Sequence, residues 1–518
     1  MESGKFIVKC DYTDRDYVKD ICFWSNKHRA WTLNATLMNY EIAKSQRFVE
    51  WVFPEEIDSL FQSKLKLNLD FQKHGFKSKT PPYKHQVMLT NLVLERERCF
   101  FLCGVGTGKS KAVIDAISEL HYRGDVKRAL IVSPASIMKN FQSQIEEHSY
   151  LESTVIEGSL YKRIQLLNVN TPVHIINYEM LSKLSGRMPK YDMVVFDECH
   201  RLKNRQALQS KAALKLSKGV RYKVGLTGTL FSNSFEDVFM PYKIISPHVF
   251  GPAFNGFKDS FLVLGGFNNH QVVGYINEHS FRKLLSTNSL KFELDDVVDL
   301  PPEIEVIKKF NLNDKNSSTY SILEKEFVIL AKETERMTAN VLERLIRLSQ
   351  ITSGFTLNNE NEIIDIGNEK LNVLEEMLLE TSGKIIVWCR FTHSIKRVEK
   401  LCDKLNLSCM TYFSETKDKS CYKQFNSDDT RVFIAQIQTG IGYSIPNANT
   451  AIFYETDYSR VNHVQAKGRN RRLVGSENKS VVYIYLQAES TLDESIFRIL
   501  KQKDFNARDA LRLIQGGK

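Results

Sequence analysis

Metal-binding cysteine motifs and long apolar runs are missing from this sequence of 518 residues, and we expect no leader segment. The nine cysteines are odd in number and never spaced as Cys-x-x-Cys, which argues against a disulfide framework and a structural zinc site. No apolar run approaches the roughly 20 residues that a membrane-spanning helix needs. The N-terminus carries acidic residues and no apolar signal-peptide core. We therefore expect a soluble, cytoplasmic protein without membrane attachment or structural metal.

The composition also lacks a strong bias. Hydrophobic residues make up 42%, aromatic residues 11% and charged residues 25%, which excludes a disordered tail protein and a collagen-like fibre. Lysine and arginine total 71 against 61 acidic residues, so the net charge of +10 is mild. Such a charge allows a polyanionic partner without requiring one. At roughly 150 residues per domain, the length predicts about three domains.

Short apolar runs alternate with amphipathic stretches in two separate parts of the chain. Such runs are typical of strands buried on both faces of a parallel sheet, with crossover helices between them. The fold class is therefore predicted as α/β, with two parallel-sheet lobes in tandem. We predict a small α+β accessory domain over 1–76, a first lobe over 77–295 with an insertion at about 247–295, and a second lobe over 296–518 with a helical segment at about 313–350.

The strongest local signal is the sequence GVGTGKS, which follows the apolar run CFFLC and precedes a helical pattern. Glycines let backbone N–H groups face phosphates, and the helix N-terminus adds partial positive charge. Lys109 is expected to reach the β- and γ-phosphates and Ser110 to hold Mg²⁺. The alternative is a glycine turn before a helix with a solvated lysine. The predicted nucleotide-binding residues of this loop are Gly104, Gly106, Thr107, Gly108, Lys109 and Ser110, and Cys103 stands where the usual pattern has its first glycine.

Two adjacent acids, Asp197 and Glu198, end the apolar run MVVFD. Acids at the end of a buried strand are costly unless something uses them, and ligands of open α/β sheets bind at this edge. We expect Asp197 to hold Mg²⁺ through water and Glu198 to polarise the attacking water. A polar strand-to-loop cap is the alternative. His200 is expected to couple nucleotide state to neighbouring residues.

A third motif, QAKGRNRR at 465–472, contains several basic residues. An arginine from a second lobe can complete an ATP site when two lobes close, which is worth roughly 10³–10⁵ in rate. Arg469 and Arg472 are the candidates. Taken alone, the run also fits a solvated or nucleic-acid-facing surface.

These motifs occur in an order that resembles superfamily 2 helicases, and more narrowly their Swi/Snf branch. DECHRLKN at 197–204 is close to that branch's DEAHxxKN form, and the resemblance covers about residues 80–500. The other matching segments are YKHQ (83–86), ALIVSPASIMKNFQSQI (129–145), IINYEML (175–181), LTGTLFSN (226–233), VWCRFTHS (387–394), TGIGYSI (439–445) and QAKGRNRR (465–472).

The resemblance implies two RecA-like lobes that bind ATP and Mg²⁺ in a cleft, with DNA running across both. Gln86 matches the adenine-reading glutamine, and Gln465 is expected to position nucleotide or water. Thr227 and Thr229 would link the nucleotide site to the DNA path. The positions that match strand-backbone contacts are Ser133, Pro134, Arg390, Thr439 and Gly440. Such contacts are sequence-tolerant and salt-sensitive.

The compact size resembles phage and bacterial versions of this branch, which implies a bacterial or phage-infected cell and, by our expectation, a monomer. The predicted function is an ATP-dependent DNA translocase that remodels forks, Holliday-type junctions or displacement loops in recombination, replication or repair. The segment FVEWVFPEEIDSLF (48–61) is faintly similar to the substrate-recognition domain of fork-remodelling annealing helicases, or is simply a small apolar core. The rival function is a duplex translocase that displaces proteins or RNA polymerase. An RNA helicase and a catalytically dead DNA-binding scaffold are less favoured.

Overall fold

The computed structural model describes residues 5–8, 10, 22–25, 30–34, 36–45, 52–65, 78–228, 234–265, 271–297, 303–333, 339–358, 360, 362–416, 418, 420–439, 443–470 and 480–501. The chain divides into two compact units. The first comprises residues 1–104 and 108–292, and the second comprises residues 293–518 together with 105–107. Each unit contains one parallel sheet, so the predicted α/β class with two parallel-sheet lobes is confirmed.

The first unit is built on a seven-stranded sheet in the order β12-β4-β9-β8-β5-β7-β6, with every neighbouring pair parallel. The strands of this unit are β1 Lys5–Val8, β2 Phe23–Ser25, β3 Ala30–Asn34, β4 Arg98–Cys103, β5 Ala129–Ser133, β6 Ser153–Val155, β7 Val173–Asn177, β8 Met193–Asp197, β9 Tyr222–Thr227, β10 Leu262–Gly265, β11 Gln271–Tyr275 and β12 Ser289–Phe292. Strands β5, β7, β8 and β9 are buried along their whole length, as expected for strands covered on both faces.

The α-helices of the first unit largely follow the strands in the alternating pattern that parallel sheets require. They are Leu37–Ser45, Glu55–Leu65, Lys84–Arg96, Lys109–Tyr122, Met138–His148, Leu160–Leu167, Tyr178–Leu184, Leu208–Leu216, Glu236–Ile245, Pro247–Phe250, Phe254–Phe261 and Glu278–Ser286. Ser159 shows why one of them begins where it does, because its side chain accepts a hydrogen bond from the backbone N–H of Lys162.

The N-terminal segment forms a small antiparallel sheet in the order β1-β3-β2, followed by two helices. Its side chains join the hydrophobic core of the first unit: Tyr40 is fully buried, and Phe6 belongs to the same buried cluster as Phe250 and Phe281. Lys283 donates to both carboxylate oxygens of Glu41 at 2.8 Å. The segment thus packs onto the first unit, while its separate status as a domain over 1–76 stays a prediction.

The predicted insertion at 247–295 contributes to the sheet itself. After helices and the antiparallel hairpin β10-β11, strand β12 pairs in parallel with β4 and forms the sheet edge beside it. Aromatic side chains hold this region together, with Phe235 stacked on Phe281 at a centroid distance of 4.0 Å. Strand β12 was not predicted, because its four residues are too few for a periodic signal.

The second unit has a six-stranded parallel sheet in the order β13-β20-β19-β16-β18-β17 and a two-stranded hairpin β14-β15. Its strands are β13 Glu303–Phe310, β14 Phe355–Leu357, β15 Ile363–Asp365, β16 Lys384–Cys389, β17 Cys409–Tyr412, β18 Val432–Gln436, β19 Ala448–Phe453 and β20 Val481–Ala488. Its α-helices are Leu294–Val297, Asp314–Glu333, Ala339–Thr352, Glu369–Glu380, Thr392–Lys404, Cys421–Ser427, Arg460–Lys467 and Leu492–Lys501. Two of these helices occupy the segment at 313–350 for which a helical region was predicted.

Candidate active site

The loop after β4 has the backbone conformation that a phosphate loop needs. Gly106 and Gly108 have φ values of 88° and 79°, a region that side chains disfavour, and the helix begins directly at Lys109. The Lys109 ammonium donates to the carbonyl oxygens of Cys103 at 2.7 Å and Gly104 at 3.0 Å. Cys103, which replaces the usual first glycine, is buried at the end of β4. The departure at this position therefore leaves the loop conformation intact.

This loop fits the triphosphate of a nucleotide. Both recorded acceptors of Lys109 are neutral carbonyls, and an ammonium has three donors, so an anion gains a charge-assisted bond that the carbonyls do not provide. Ser110 is the second residue of the helix, where its backbone N–H is among those without an intrahelical acceptor. The donor set is therefore cationic and amide-rich, as phosphate recognition requires.

The acid pair lies at the end of β8. Asp197 is almost fully buried, and burial raises the pKa of Asp197 to about 7, with a further increase from the charge of Glu198. The ammonium of Lys109 lowers the pKa of Asp197, which shows that the phosphate loop and the acid pair are electrostatic neighbours. A buried carboxylate beside a second acid fits a divalent cation, and carboxylate and hydroxyl oxygens are the ligands Mg²⁺ prefers.

Backbone strain accompanies the acid pair. Glu198 adopts a left-handed conformation with φ of 52°, which is uncommon for a residue with a side chain. His200 Nδ1 lies 3.3 Å from a Glu198 carboxylate oxygen and 3.0 Å from the hydroxyl of Thr227 at the end of β9. His200 thus connects the acid pair to the predicted coupling residue Thr227.

Tyr178, which was not predicted as a site residue, holds the backbone of the acid pair. Its fully buried hydroxyl donates to the backbone carbonyl of Asp197 at 2.7 Å. The available signal was its place directly after β7 in the segment IINYEML. The carbonyl it binds is brought near only when β7 and β8 enter the same sheet, so the contact could not be read from the sequence.

The predicted adenine reader Gln86 lies in the helix Lys84–Arg96 and is nearly buried. Its carboxamide oxygen accepts a hydrogen bond from the backbone N–H of Tyr83 at 3.0 Å, which caps the helix. The role of Gln86 in adenine recognition stays a prediction.

A polar network that was not predicted joins Ser78, which precedes this helix in the chain, to the helix that follows the phosphate loop. Lys111 of that helix donates to the Ser78 hydroxyl at 2.6 Å and forms a buried ion pair with Asp115.

The predicted DNA-contacting residues of the first unit lie at the ends of parallel strands. Ser133 ends β5 and Thr227 ends β9, so both lie at the same sheet edge as the phosphate loop after β4. Both side chains, and Pro134, are buried. Thr229 lies outside the described residues. DNA contacts at these positions stay predictions.

In the second unit, Arg390 follows β16, and its guanidinium lies over the ring of Tyr458 at 4.1 Å. Its backbone N–H donates to the carboxylate of Glu455 at 2.7 Å. Thr439 ends the short 3₁₀ helix Ile437–Thr439, while Gly440 lies outside the described residues. The structure therefore brings Arg390 against an aromatic ring, and a contact of these residues with DNA stays a prediction.

The QAKGRNRR motif begins in the helix Arg460–Lys467. Gln465 is nearly buried, and its backbone carbonyl accepts from Arg469 Nε at 3.0 Å. A second guanidinium nitrogen of Arg469 donates to the carbonyl of Tyr443 at 2.9 Å. Arg469 is thus tied to its own unit by two backbone contacts, and Arg472 lies outside the described residues. The catalytic roles of Gln465, Arg469 and Arg472 stay predictions.

Among the described residues, no three or more His, Cys, Asp or Glu side chains converge in a way that could hold a metal ion. The described part of the chain also contains no helix with the length and apolar character needed to cross a membrane.

Comparison with protein families gives two matches. The family described as SNF2-related domain matches residues 46–355, and the helicase conserved C-terminal domain matches residues 369–474. The first match begins earlier than residue 80, where the resemblance in the sequence was judged to start. It therefore includes part of the segment predicted as an accessory domain.

Curated relatives share about a quarter of the aligned residues. An uncharacterized ATP-dependent helicase of Mycoplasma genitalium, MG018, is 23% identical over 418 residues, covering 77% of this chain and 39% of the relative. The CHD3-type chromatin-remodeling factor PICKLE of Arabidopsis thaliana is 21% identical over 453 residues, covering 77% of this chain and 32% of the relative. The phage protein p41, from Acyrthosiphon pisum secondary endosymbiont phage 1, is 24% identical over 450 residues, covering 81% and 95%. The chain thus spans about a third of the length of the first two relatives.

Among solved structures, the Sulfolobus solfataricus SWI2/SNF2 ATPase core in complex with dsDNA is 18% identical, with a TM-score of 0.41. The alignment covers 86% of this chain and 95% of that one.

Proposed function

This chain belongs to the SNF2-related family, and on that premise we propose that it is a DNA-dependent ATPase that translocates on DNA and remodels branched DNA. Its substrates would be forks, Holliday-type junctions and displacement loops. Most of the length of the first two curated relatives lies outside the alignment, so both the ATPase activity and the DNA substrate of this chain are proposed here.

One observation carries the ATPase part of the proposal. Strands β4 and β8 both pair in parallel with β9, so the phosphate loop after β4 and the acid pair at the end of β8 lie at the same edge of one sheet, and the ammonium of Lys109 lowers the pKa of Asp197. A cation aimed at phosphates and a buried carboxylate with a raised pKa are the two halves of a nucleotide-hydrolysing site. Neither half alone would distinguish hydrolysis from nucleotide binding.

The residues would divide the work as follows. Lys109 would donate hydrogen bonds to the phosphates, and Ser110 and Asp197 would hold the cation, the latter through water. Glu198 would accept a proton from the attacking water, and His200 would transmit the change to Thr227 at the end of β9. Bound Mg–ATP would supply the phosphoanhydride bond that is broken and a divalent charge that stabilises the transition state.

The DNA part rests on family membership and on the order of the motifs. A translocase holds the sugar–phosphate backbone, so the predicted DNA contacts need no base readout. The residues predicted to make them are Ser133, Pro134, Thr227, Thr229, Arg390, Thr439 and Gly440. Preference for branched DNA is supported by the aromatic and basic residues of the N-terminal segment, since aromatic rings can stack on unpaired bases. Removal of 1–76 is a poor test, because Tyr40 contributes to the core of the first unit.

The test is the ATPase rate of the full chain with matched nucleic acids: none, single-stranded DNA, duplex, fork, four-way junction and RNA of equal length. Strand exchange of the branched substrates is followed in the same reactions. Strong stimulation by branched DNA together with strand exchange is the expected result. Stimulation by plain duplex without exchange would favour a duplex translocase that displaces proteins, and equal rates with all six samples would overturn the proposal.

A further inference from the structure

A second concave site lies in the first unit, away from the phosphate loop. It is a cavity of about 430 Å³ beneath the start of β4. Its wall combines three regions of the chain: Lys64 from the N-terminal segment, Arg96 and Arg98 from the turn into β4, and His248 from the insertion. The N-terminal segment contributes Leu37 and Lys64 to this wall.

The cavity has a surplus of positive charge. Five charged side chains line it: Lys64, Arg96 and Arg98 against Glu95 and Glu97. The carboxylate of Glu97 is already compensated, because it forms an ion pair with Arg221 outside the cavity lining at 2.7 Å. Glu95 acts on Arg96, whose pKa its charge raises, so the lining keeps a net positive charge that comes from Lys64 and Arg98.

His248 lies beside these cations. Desolvation and the nearby charges of Arg98 and Lys64 lower the pKa of His248. The ring is therefore neutral at pH 7, and its Nε2 accepts a hydrogen bond from the Asn288 side-chain amide at 3.1 Å. The remaining ring nitrogen then carries a proton, which makes His248 a neutral donor.

The backbone fixes the two arginines in this arrangement. Glu97, which stands between them, adopts a left-handed conformation with φ of 59°. For a residue with a side chain that conformation costs free energy, and such strain persists only where surrounding contacts enforce it. The backbone carbonyl of Arg98 is held by the Asn288 amide at 2.9 Å, which provides one such contact.

We propose that this cavity binds a phosphate group, carried either by the DNA backbone or by a free phosphorylated molecule. Guanidinium groups, an ammonium and a neutral N–H donor are the chemistry that recognises phosphate. The site is separate from the phosphate loop: β4 runs six residues from Arg98 to Cys103, which separates the two by about 20 Å at roughly 3.3 Å per residue. The DNA source rests on the proposed function, whereas the free-phosphate source does not.

The first arm of the test measures thermal unfolding of the full chain in sodium phosphate against sodium chloride of equal ionic strength. A Lys109→Ala background removes the response of the phosphate loop. The expected result is a midpoint that rises with phosphate concentration, because a ligand that binds the folded state stabilises it. Arg98→Gln should abolish the rise, and Lys64→Gln, on an exposed helix, should weaken it without affecting the fold. Arg282→Gln, an exposed arginine of the same unit, should leave the rise unchanged.

The second arm measures DNA affinity against salt concentration for the same variants with Lys109 restored. If a DNA phosphate occupies the cavity, Arg98→Gln and Lys64→Gln each lower the slope of log K against log[salt] by about one, the value for one phosphate contact. A lost phosphate response with an unchanged slope assigns the site to a free phosphorylated molecule. If both responses match those of Arg282→Gln, the proposal is overturned. Loss of ATPase activity alone bears on the proposed function and leaves the first arm intact.

Discussion

Both units have acidic residues at or near the ends of buried parallel strands, but the surroundings of these carboxylates differ. In the first, Asp197 ends β8 with a raised pKa and an acidic neighbour. In the second, Glu455 stands two residues after β19 and accepts hydrogen bonds from the backbone N–H groups of Arg390 and Phe391, where the helix Thr392–Lys404 begins. A charge that its own unit satisfies serves the fold, whereas a charge that is left uncompensated indicates a ligand.

The largest expected effect tests whether the second unit also supplies a catalytic charge. Arg472→Ala should lower ATP turnover by roughly 10³–10⁵, the value of an arginine that stabilises the transferring phosphoryl group. ATP binding should be retained, which a nucleotide-binding titration checks alongside steady-state ATPase assays. Unchanged turnover would break the catalytic assignment of the QAKGRNRR motif and leave the second unit with structural charges at this motif.

The next effect concerns the acid pair of the first unit. Glu198→Gln should lower DNA-stimulated ATP hydrolysis by roughly 10²–10⁴, because an amide cannot accept the proton of the attacking water. Circular dichroism should show an unchanged fold. Glu376→Gln, on the exposed side of the helix Glu369–Glu380, is the matched control and should keep full activity. Full activity in Glu198→Gln would remove the basis for the ATPase proposal.

A third substitution measures the structural side of the comparison. Arg469→Ala removes a nearly buried guanidinium that donates to the carbonyls of Gln465 and Tyr443. It should lower the free energy of unfolding by about 3 kcal/mol, since buried acceptors lose charged donors. Arg347→Ala, an arginine of the same unit with an exposed i,i+4 ion pair, should cost well under 1 kcal/mol. Equal effects in urea unfolding would show that the Arg469 contacts contribute little stability.

The last prediction is a pH dependence of stability. A carboxyl whose pKa is raised on folding stabilises the folded state fully below its unfolded pKa of about 4, and this contribution is lost as the pH rises through about 7. Asp197→Asn has no such loss. Without nucleotide and Mg²⁺, the unfolding midpoint of Asp197→Asn minus that of the parent should therefore increase from pH 4.5 to about pH 7 and then level off. A difference that is constant over this range would show that the Asp197 pKa is ordinary.

Much of the fold was predictable because strands that are buried on both faces of a parallel sheet have continuous apolar sequences. The apolar run CFFLC at 99–103 lies in strand β4, and the run MVVFD at 193–197 is strand β8. Strands β6, β12 and β13 were not predicted: the first two have three and four residues, and β13 alternates exposed and partly buried positions at the edge of its sheet. Short and edge strands depend on their neighbours more than on their own sequence.

For the site, the residue types were readable and their surroundings were not. The glycines at 106 and 108 and the acids at 197 and 198 are local patterns, so the sequence alone predicts a phosphate loop and a metal-binding acid pair. Contacts between distant segments, such as Tyr178 with the Asp197 carbonyl, depend on strand order.

The sequence by itself determined the α/β class and the family, because both depend on short segments whose spacing and order can be read along the chain. Only the tertiary structure decided which charges are compensated. It tied Arg469 to backbone carbonyls, buried Asp197 so that its pKa is raised, and joined Lys64 to Arg98 in one cavity. Compensation is a property of distances of a few ångströms between residues far apart in the chain, and electrostatic energies change steeply over such distances in a buried environment.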